Sequence, residues 1–223
     1  MPEPRLVPVH VPHDPTGTVL VLHGGAARSE VTEVSPTQLS VLRMVPLARR
    51  LARAGGKRLA VYRLLNSARG WDTGHTPVQD AHWALDRLGR EDGEHPTALV
   101  GHSLGGRAAL LAGEHPAVRS VVGLNAWIAP GDRAELRGRR VLLVHGTADR
   151  IADPGRARRL AREVAATAES TGWLDVQDAK HAMLRRGGVF EKAAVDFVRA
   201  TLLGDTVRGP VADLLEGVAS QTV

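Results

Sequence analysis

The stretch Gly-His-Ser-Leu-Gly-Gly at residues 101–106 decides how this chain folds and what it does. It follows the apolar run 97–100 and precedes the helix-compatible segment 107–112, so a G-x-S-x-G pattern joins a predicted strand to a predicted helix. On such a turn the serine takes a strained conformation that exposes its hydroxyl, and glycine is needed at 101 and 105 because side chains there would collide. The pattern predicts that Ser103 is a nucleophile.

Apolar runs that predict strands alternate with helical patterns along the chain. Strands are predicted over residues 17–22, 58–64, 97–100, 118–124, 141–145 and 173–177, and helices over 38–54, 78–88, 105–114, 155–168 and 189–203. Strands that are apolar throughout are typical of a parallel sheet covered on both faces. We therefore predict an α/β fold with an open, doubly wound, mostly parallel sheet.

The same reading predicts one domain over residues 1–223. Residues 1–16 form an N-terminal strand or extension, and residues 204–223 form a C-terminal tail. Within the tail, the segment 211–218 is amphipathic, and its pattern is compatible with packing on the core, with strand pairing or with a frayed end. A chain of this length with 43% hydrophobic residues is sufficient for a single core.

Composition excludes several kinds of chemistry and partner. The chain has no cysteine, which excludes disulfides, thiolate metal sites and a cysteine nucleophile. It has no signal-peptide pattern at its N-terminus and no apolar run near the ~20 residues that span a bilayer, so we expect a cytoplasmic protein without a membrane partner. The net charge of +5 comes from 29 basic and 24 acidic residues spread over helix faces, which predicts no nucleic-acid partner.

The loops that follow the predicted strands carry the residues expected to assist Ser103. Ligand sites in such sheets lie beyond the carboxyl ends of the strands. A serine nucleophile needs a histidine base and an acid that orients it, in the chain order serine, acid, histidine. Asp149 and His181 fit that order and are our predicted acid and base.

Other roles for these residues stay open. Asp149 could be a turn residue or the cap of the next helix, although Asp153 is the better cap. Asp178 is a rival acid and His75 a rival histidine. Three more histidines flank glycine turns where their rings can bond to backbone groups: His23, His102 and His145. The ten histidines form no H-x-x-x-H or H-E-x-x-H pattern, so no metal and no cofactor are predicted.

Four segments together resemble the α/β-hydrolase superfamily: residues 22–25, 101–106, 145–149 and 180–181. Within it, the chain looks like small bacterial hydrolases of the dienelactone hydrolase and esterase or thioesterase branches, although dienelactone hydrolases use a cysteine where this chain has Ser103. The resemblance implies an oxyanion hole made by the backbone N–H groups of Leu104 and Gly25, with Ala26 as the alternative to Gly25.

Many members of that superfamily carry a cap domain after the fourth of these strands, and residues 125–140 are too few to form one. The pocket is therefore expected to be open unless the loops 28–36 or 66–76 fold over it. Trp71, Trp127 and Met183 are the predicted pocket walls, with the alternative that each tryptophan only anchors its loop. Arg63 and Arg69 bind either an acidic substrate group or a structural partner.

The expected function is cleavage of an ester, thioester or similar acyl bond through an acyl-enzyme. The partner is a small acyl substrate, and a carrier-bound acyl group also fits an open pocket. Acyl transfer or lactone chemistry at the same residues is one alternative. A non-catalytic ligand-binding homologue is the other, because a fold does not determine a function.

Overall fold

A single eight-stranded sheet forms the centre of the structure. The structure is a computed structural model, and it describes residues 3–26 and 33–223. The strands are β1 (Arg5–His10), β2 (Gly17–Leu22), β3 (Leu59–Leu65), β4 (Thr97–His102), β5 (Val118–Leu124), β6 (Arg140–Gly146), β7 (Ser170–Val176) and β8 (Ser220–Thr222). They lie in the order β1-β3-β2-β4-β5-β6-β7-β8, with only the β1–β3 pair antiparallel.

Helices cover both faces of this sheet. They are α1 (Leu39–Leu42), α2 (Met44–Gly55), α3 (Thr76–Glu91), α4 (Leu104–Leu111), α5 (Pro154–Val164), α6 (Gly187–Leu203) and α7 (Pro210–Leu215). All six residues of β2 are buried, and its side chains alternate between two cores. Leu20 and Leu22 belong to the core that also contains residues of α3, α4 and α5, whereas Val19 and Val21 belong to the core that contains residues of α2, α6 and α7. The predicted doubly wound α/β fold is thereby confirmed.

The helix predicted over residues 38–54 is wrong as one continuous element. The structure divides it into α1 and α2, with Arg43 at the junction. Pro46 explains the division, because it has no backbone N–H to donate to the carbonyl of Leu42. Arg43 itself keeps helical angles, with φ −54° and ψ −36°.

The C-terminal tail both packs and pairs. Val211 and Leu214 of α7 are buried against the core, and β8 adds a short parallel edge to β7. The strand Ser220–Thr222 is polar, so apolar runs could not reveal it.

No helix or strand lies between β5 and β6, at residues 125–139, so the structure has no inserted cap domain. Part of the loop 28–36 lies outside the described residues. Among the helices described, none is both long and apolar enough to cross a membrane.

Candidate active site

Ser103 lies on the turn between β4 and α4 with φ +56° and ψ −120°, a conformation that is unusual for a residue with a side chain. The turn is possible because glycines stand two residues before and two residues after the serine. A Cβ on Gly101 would lie 2.1 Å from the carbonyl oxygen of Gly105, and a Cβ on Gly105 would lie 2.5 Å from the backbone of β2. The sharp turn places the serine at the N-terminus of α4.

Two hydrogen bonds link Ser103 to the predicted base and acid. The Oγ of Ser103 lies 2.9 Å from Nε2 of His181, and Nδ1 of His181 lies 2.8 Å from Oδ2 of Asp149. The other carboxylate oxygen of Asp149 accepts the backbone N–H groups of Ile151 at 2.8 Å and Ala152 at 3.0 Å. The three side chains come from the loops after β4, β6 and β7, which parallel strands bring to the same edge of the sheet.

The surroundings of Asp149 favour its ionised form. Burial alone would raise the pKa of this carboxyl group, since its side chain has no exposed surface. The hydrogen bonds from His181 and from the backbone outweigh burial, and the pKa lies below its ordinary value. Asp149 is therefore a carboxylate near neutral pH and holds the Nδ1–H of His181.

The alternatives to Asp149 and His181 lie elsewhere. Asp153 caps α5 by accepting the N–H of Gly155 at 2.8 Å, as predicted. Asp178 is exposed, and its backbone N–H donates to the hydroxyl of Thr147. His75 lies at the start of α3, with its ring 5.4 Å from that of Trp71.

Two buried side chains hold the backbone of the His181 loop, and sequence reasoning did not assign this role to either. Nδ2 of Asn125 donates to the carbonyl of His181 at 3.0 Å and to that of Lys180 at 3.3 Å, while its Oδ1 accepts the N–H of Gly146 at 2.8 Å. Nε2 of His102 lies 2.9 Å from the same His181 carbonyl. The positions of both residues, one beside Ser103 and one after β5, were the available signal.

The histidines that flank glycine turns bond to backbone groups, as predicted. His23 lies with Nδ1 2.5 Å from the carbonyl of Gly24, and its Nε2 accepts the N–H of Asn66 at 3.2 Å. Burial lowers the pKa values of His23 and His145, and burial with the nearby charges of His181 and Arg43 lowers that of His102 to about 4. These three rings are neutral at pH 7.

The loop after β2 lies directly beside the serine, because Leu22 pairs with Gly101 across the sheet. A Cβ on Gly24 would lie 3.3 Å from that of Ser103. The N–H of Ala26 donates to the carbonyl of Arg69 at 2.9 Å, so it is already engaged. This leaves Gly25 as the better of the two predicted donors in this loop, while the N–H of Leu104 belongs to the first turn of α4.

Trp71 and Trp127 both approach the buried side chain of Arg107. The Cζ of Arg107 is 3.8 Å from the ring centroid of Trp71 and 5.6 Å from that of Trp127. Arg107 also donates two hydrogen bonds, of 2.7 Å and 2.6 Å, to the carboxylate of Asp132. The tryptophans thus anchor their loops to α4, which was the alternative role; as pocket walls they stay predictions.

Met183 lines a groove together with residues of α1, and as a pocket wall of the active site it stays a prediction. Within residues 3–26 and 33–223, no three His, Cys, Asp or Glu side chains form a cluster able to hold a metal ion.

The chain is similar in sequence to one protein family and in structure to several solved proteins. A model of the alpha/beta hydrolase family matches residues 19–219. An α/β serine hydrolase without lid from Xanthomonas campestris is similar in structure, with a TM-score of 0.67, 17% identity, and coverage of 92% of this chain and 97% of that one. The esterase domain of a Rhodothermus marinus protein has a TM-score of 0.61, 18% identity, and coverage of 90% and 99%.

A monoacylglycerol lipase from Paleococcus ferrophilus is also similar, with a TM-score of 0.63, 20% identity, and coverage of 89% of this chain and 99% of that one. At such identities the likeness shows the fold alone. No curated protein sequence matches the chain significantly.

Proposed function

The chain belongs to the alpha/beta hydrolase family, and on this premise we propose that it is a serine hydrolase that cleaves an ester, thioester or related acyl bond through an acyl-enzyme. The observation that carries the proposal is the pair of hydrogen bonds from Ser103 to His181 and from His181 to Asp149, at 2.9 Å and 2.8 Å. This is the geometry that a serine nucleophile, its base and the orienting acid require.

In the first half of the reaction, Nε2 of His181 accepts the hydroxyl proton as Oγ of Ser103 attacks the acyl carbon. Negative charge then develops on the former carbonyl oxygen, and the backbone N–H groups of Leu104 and Gly25 are the proposed donors to it. The tetrahedral intermediate collapses as the leaving group departs with the proton from His181. The product is an acyl ester on Ser103.

In the second half, His181 takes a proton from water, whose oxygen attacks the acyl carbon. Collapse of the second intermediate releases the acid and returns the proton to Ser103. Removing one donor to the oxyanion costs typically ~10² to 10³-fold in turnover. His102 and His145 are neutral at pH 7, so the positive charge that forms in the transition state lies on His181. The carboxylate of Asp149 stabilises that charge.

Labelling with a fluorophosphonate probe tests the proposal. We expect one adduct per wild-type chain by intact mass and none in Ser103→Ala or His181→Ala, because only an activated serine attacks the probe at a useful rate. Matched controls are Ser35→Ala and His13→Ala, which change exposed residues of the same types and keep full labelling.

Far-ultraviolet circular dichroism establishes that each variant is folded. A folded wild-type protein that forms no adduct would contradict the proposal, and so would a Ser103→Ala variant that is labelled as fast as the wild type.

A further inference from the structure

A shallow groove of about 430 Å³ runs beside the loop that carries His181. Its walls come from two parts of the chain. Leu39, Leu42 and Arg43 belong to α1 and its junction with α2, while Met183 and Leu184 follow His181 by two and three residues. The groove therefore lies along the segment that directly follows His181 in the chain.

The groove is lined by leucines that face solvent. Leu39 is 80% exposed, Leu184 is 81% exposed and Leu42 is 46% exposed. Six large apolar side chains are exposed in the described part of the chain, and half of them lie around this one groove. Scattered exposed leucines are ordinary, whereas a cluster of them around one groove indicates a contact surface for an apolar ligand.

Arg43 gives the groove a positive charge that no carboxylate of the described residues neutralises. Arg43 lines the groove and is partly exposed, and none of the ion pairs between described residues includes it. The acidic residue of the groove, Glu191, is already paired with Arg50 at 2.8 Å.

Other positively charged side chains lie on the loop of His181. The charge of Arg43 contributes to the low pKa of His102, whose ring lies 5.0 Å from that of His181. The loop that carries Met183 and Leu184 also carries three exposed cations: Lys180, Arg185 and Arg186. An anion in the groove would meet attraction from both of its walls.

We propose that this groove binds an amphiphilic acyl substrate, with its apolar segment against Leu39, Leu42 and Leu184 and its carboxylate or phosphate on Arg43. An arginine fork suits either anion, because both accept paired N–H donors. The proposal rests on the proposed function and adds the substrate class: an ester or thioester that carries a negative charge at a distance from the reacting carbonyl.

The carboxylate arm of the test compares two substrates that differ only in charge. One is the 4-nitrophenyl hemi-ester of hexanedioic acid, and the other is the same ester with its free carboxylate methylated. We expect the ratio of their kcat/KM values, charged over neutral, to fall by about 10- to 100-fold in Arg43→Gln, because a charge-assisted hydrogen bond is lost. Arg43→Lys keeps the charge and is expected to retain part of the ratio.

The phosphate arm compares the acetyl thioester of phosphopantetheine with that of pantetheine in the same variants. It distinguishes an anion on the leaving group from one on the acyl group. The matched control for both arms is Arg53→Gln, an exposed arginine of α2 outside the groove, and we expect both ratios to be unchanged in it.

A binding measurement separates this proposal from the proposed function. Calorimetric titration of Ser103→Ala with each ester reports affinity without hydrolysis. Binding of the charged ester that is weakened by Arg43→Gln supports the groove even if no ester is hydrolysed. If the enzyme hydrolyses both substrates and Arg43→Gln leaves the ratio of their kcat/KM values unchanged, the proposal for the groove is wrong. The proposal that the protein is a serine hydrolase would still stand.

Discussion

Two turns carry the serine and the histidine of the candidate site, and different contacts hold them in place. The turn 101–106 is fixed by close backbone contacts, because Gly101 approaches Gly105, and Gly105 approaches Leu22 and His23, too closely for any side chain. The loop 180–186 contains no such contact and is held from outside, by hydrogen bonds from Asn125 and His102 to its carbonyl groups.

The difference separates positions that local sequence determines from positions that the folded chain determines. The serine turn needs particular residues at particular spacings, whereas the histidine loop needs donors that come from β4 and from the loop after β5. We expect the serine turn to lose its conformation when a single methyl group is added. We expect the histidine loop to lose stability gradually as single hydrogen bonds are removed.

Gly101→Ala tests the rigid turn and has the largest expected effect. Its new Cβ would lie 2.1 Å from the carbonyl oxygen of Gly105, so α4 must shift or Ser103 must leave its position. We expect a loss of about 3 kcal/mol or more in the free energy of unfolding, measured by urea titration, together with loss of fluorophosphonate labelling.

The control for that variant is Gly89→Ala on α3, where a Cβ would meet no atom within 4 Å. Alanine is the better helix former by about 1 kcal/mol, so this variant should be as stable as the wild type or more stable. Equal stabilities of Gly101→Ala and Gly89→Ala would show that the turn is not rigid.

The same contrast explains how much could be predicted from the sequence. The fold, and the places of Ser103, Asp149 and His181 on loops after particular strands, follow from local patterns and chain order. The roles of Asn125 and His102 depend on partners that are 56 and 79 residues away along the chain. Their positions on the loops near the site mark them as candidates, but no local pattern shows which groups they bond to. Arg43 was hidden for the same reason, since its isolation is visible only once its neighbours are placed.

The pH dependence of stability tests the role of His102, which supports the loop of His181. The expected change in the free energy of unfolding is the second largest. The pKa of His102 is about 4 in the folded protein against an ordinary value of 6.5, so between these values the unfolded chain binds the extra proton. The free energy of unfolding should therefore fall by about 3 kcal/mol as the pH drops from 6.5 towards 4, and then level off for this group. Urea titrations at about pH 7 and about pH 4.5 measure the loss.

His102→Gln provides the comparison for the pH series, because its amide can donate to the His181 carbonyl but does not titrate. We expect a smaller loss of stability over the same range, with the remainder due to His23 and His145, whose pKa values are also lowered by burial. A variant that loses as much stability as the wild type would assign the loss to those other histidines.

Asn125→Gly has the smallest expected effect and tests whether the loop needs its external donors. Asn125 has φ +43°, and glycine accepts this angle, so the variant removes the hydrogen bonds without adding backbone strain. We expect a loss of about 1 to 2 kcal/mol in the free energy of unfolding and about a tenfold slower fluorophosphonate reaction, because His181 is less well oriented towards Ser103.

Thr201→Val is the matched control for this last variant, since it removes a hydrogen bond of 3.0 Å to Ser120 in a different part of the fold. A comparable loss of stability with an unchanged labelling rate is expected there, because no part of that contact touches the His181 loop. The contrary outcome is that Asn125→Gly loses stability and keeps the wild-type labelling rate. That result would show that the amide only stabilises the fold and that His102 and Asp149 orient His181.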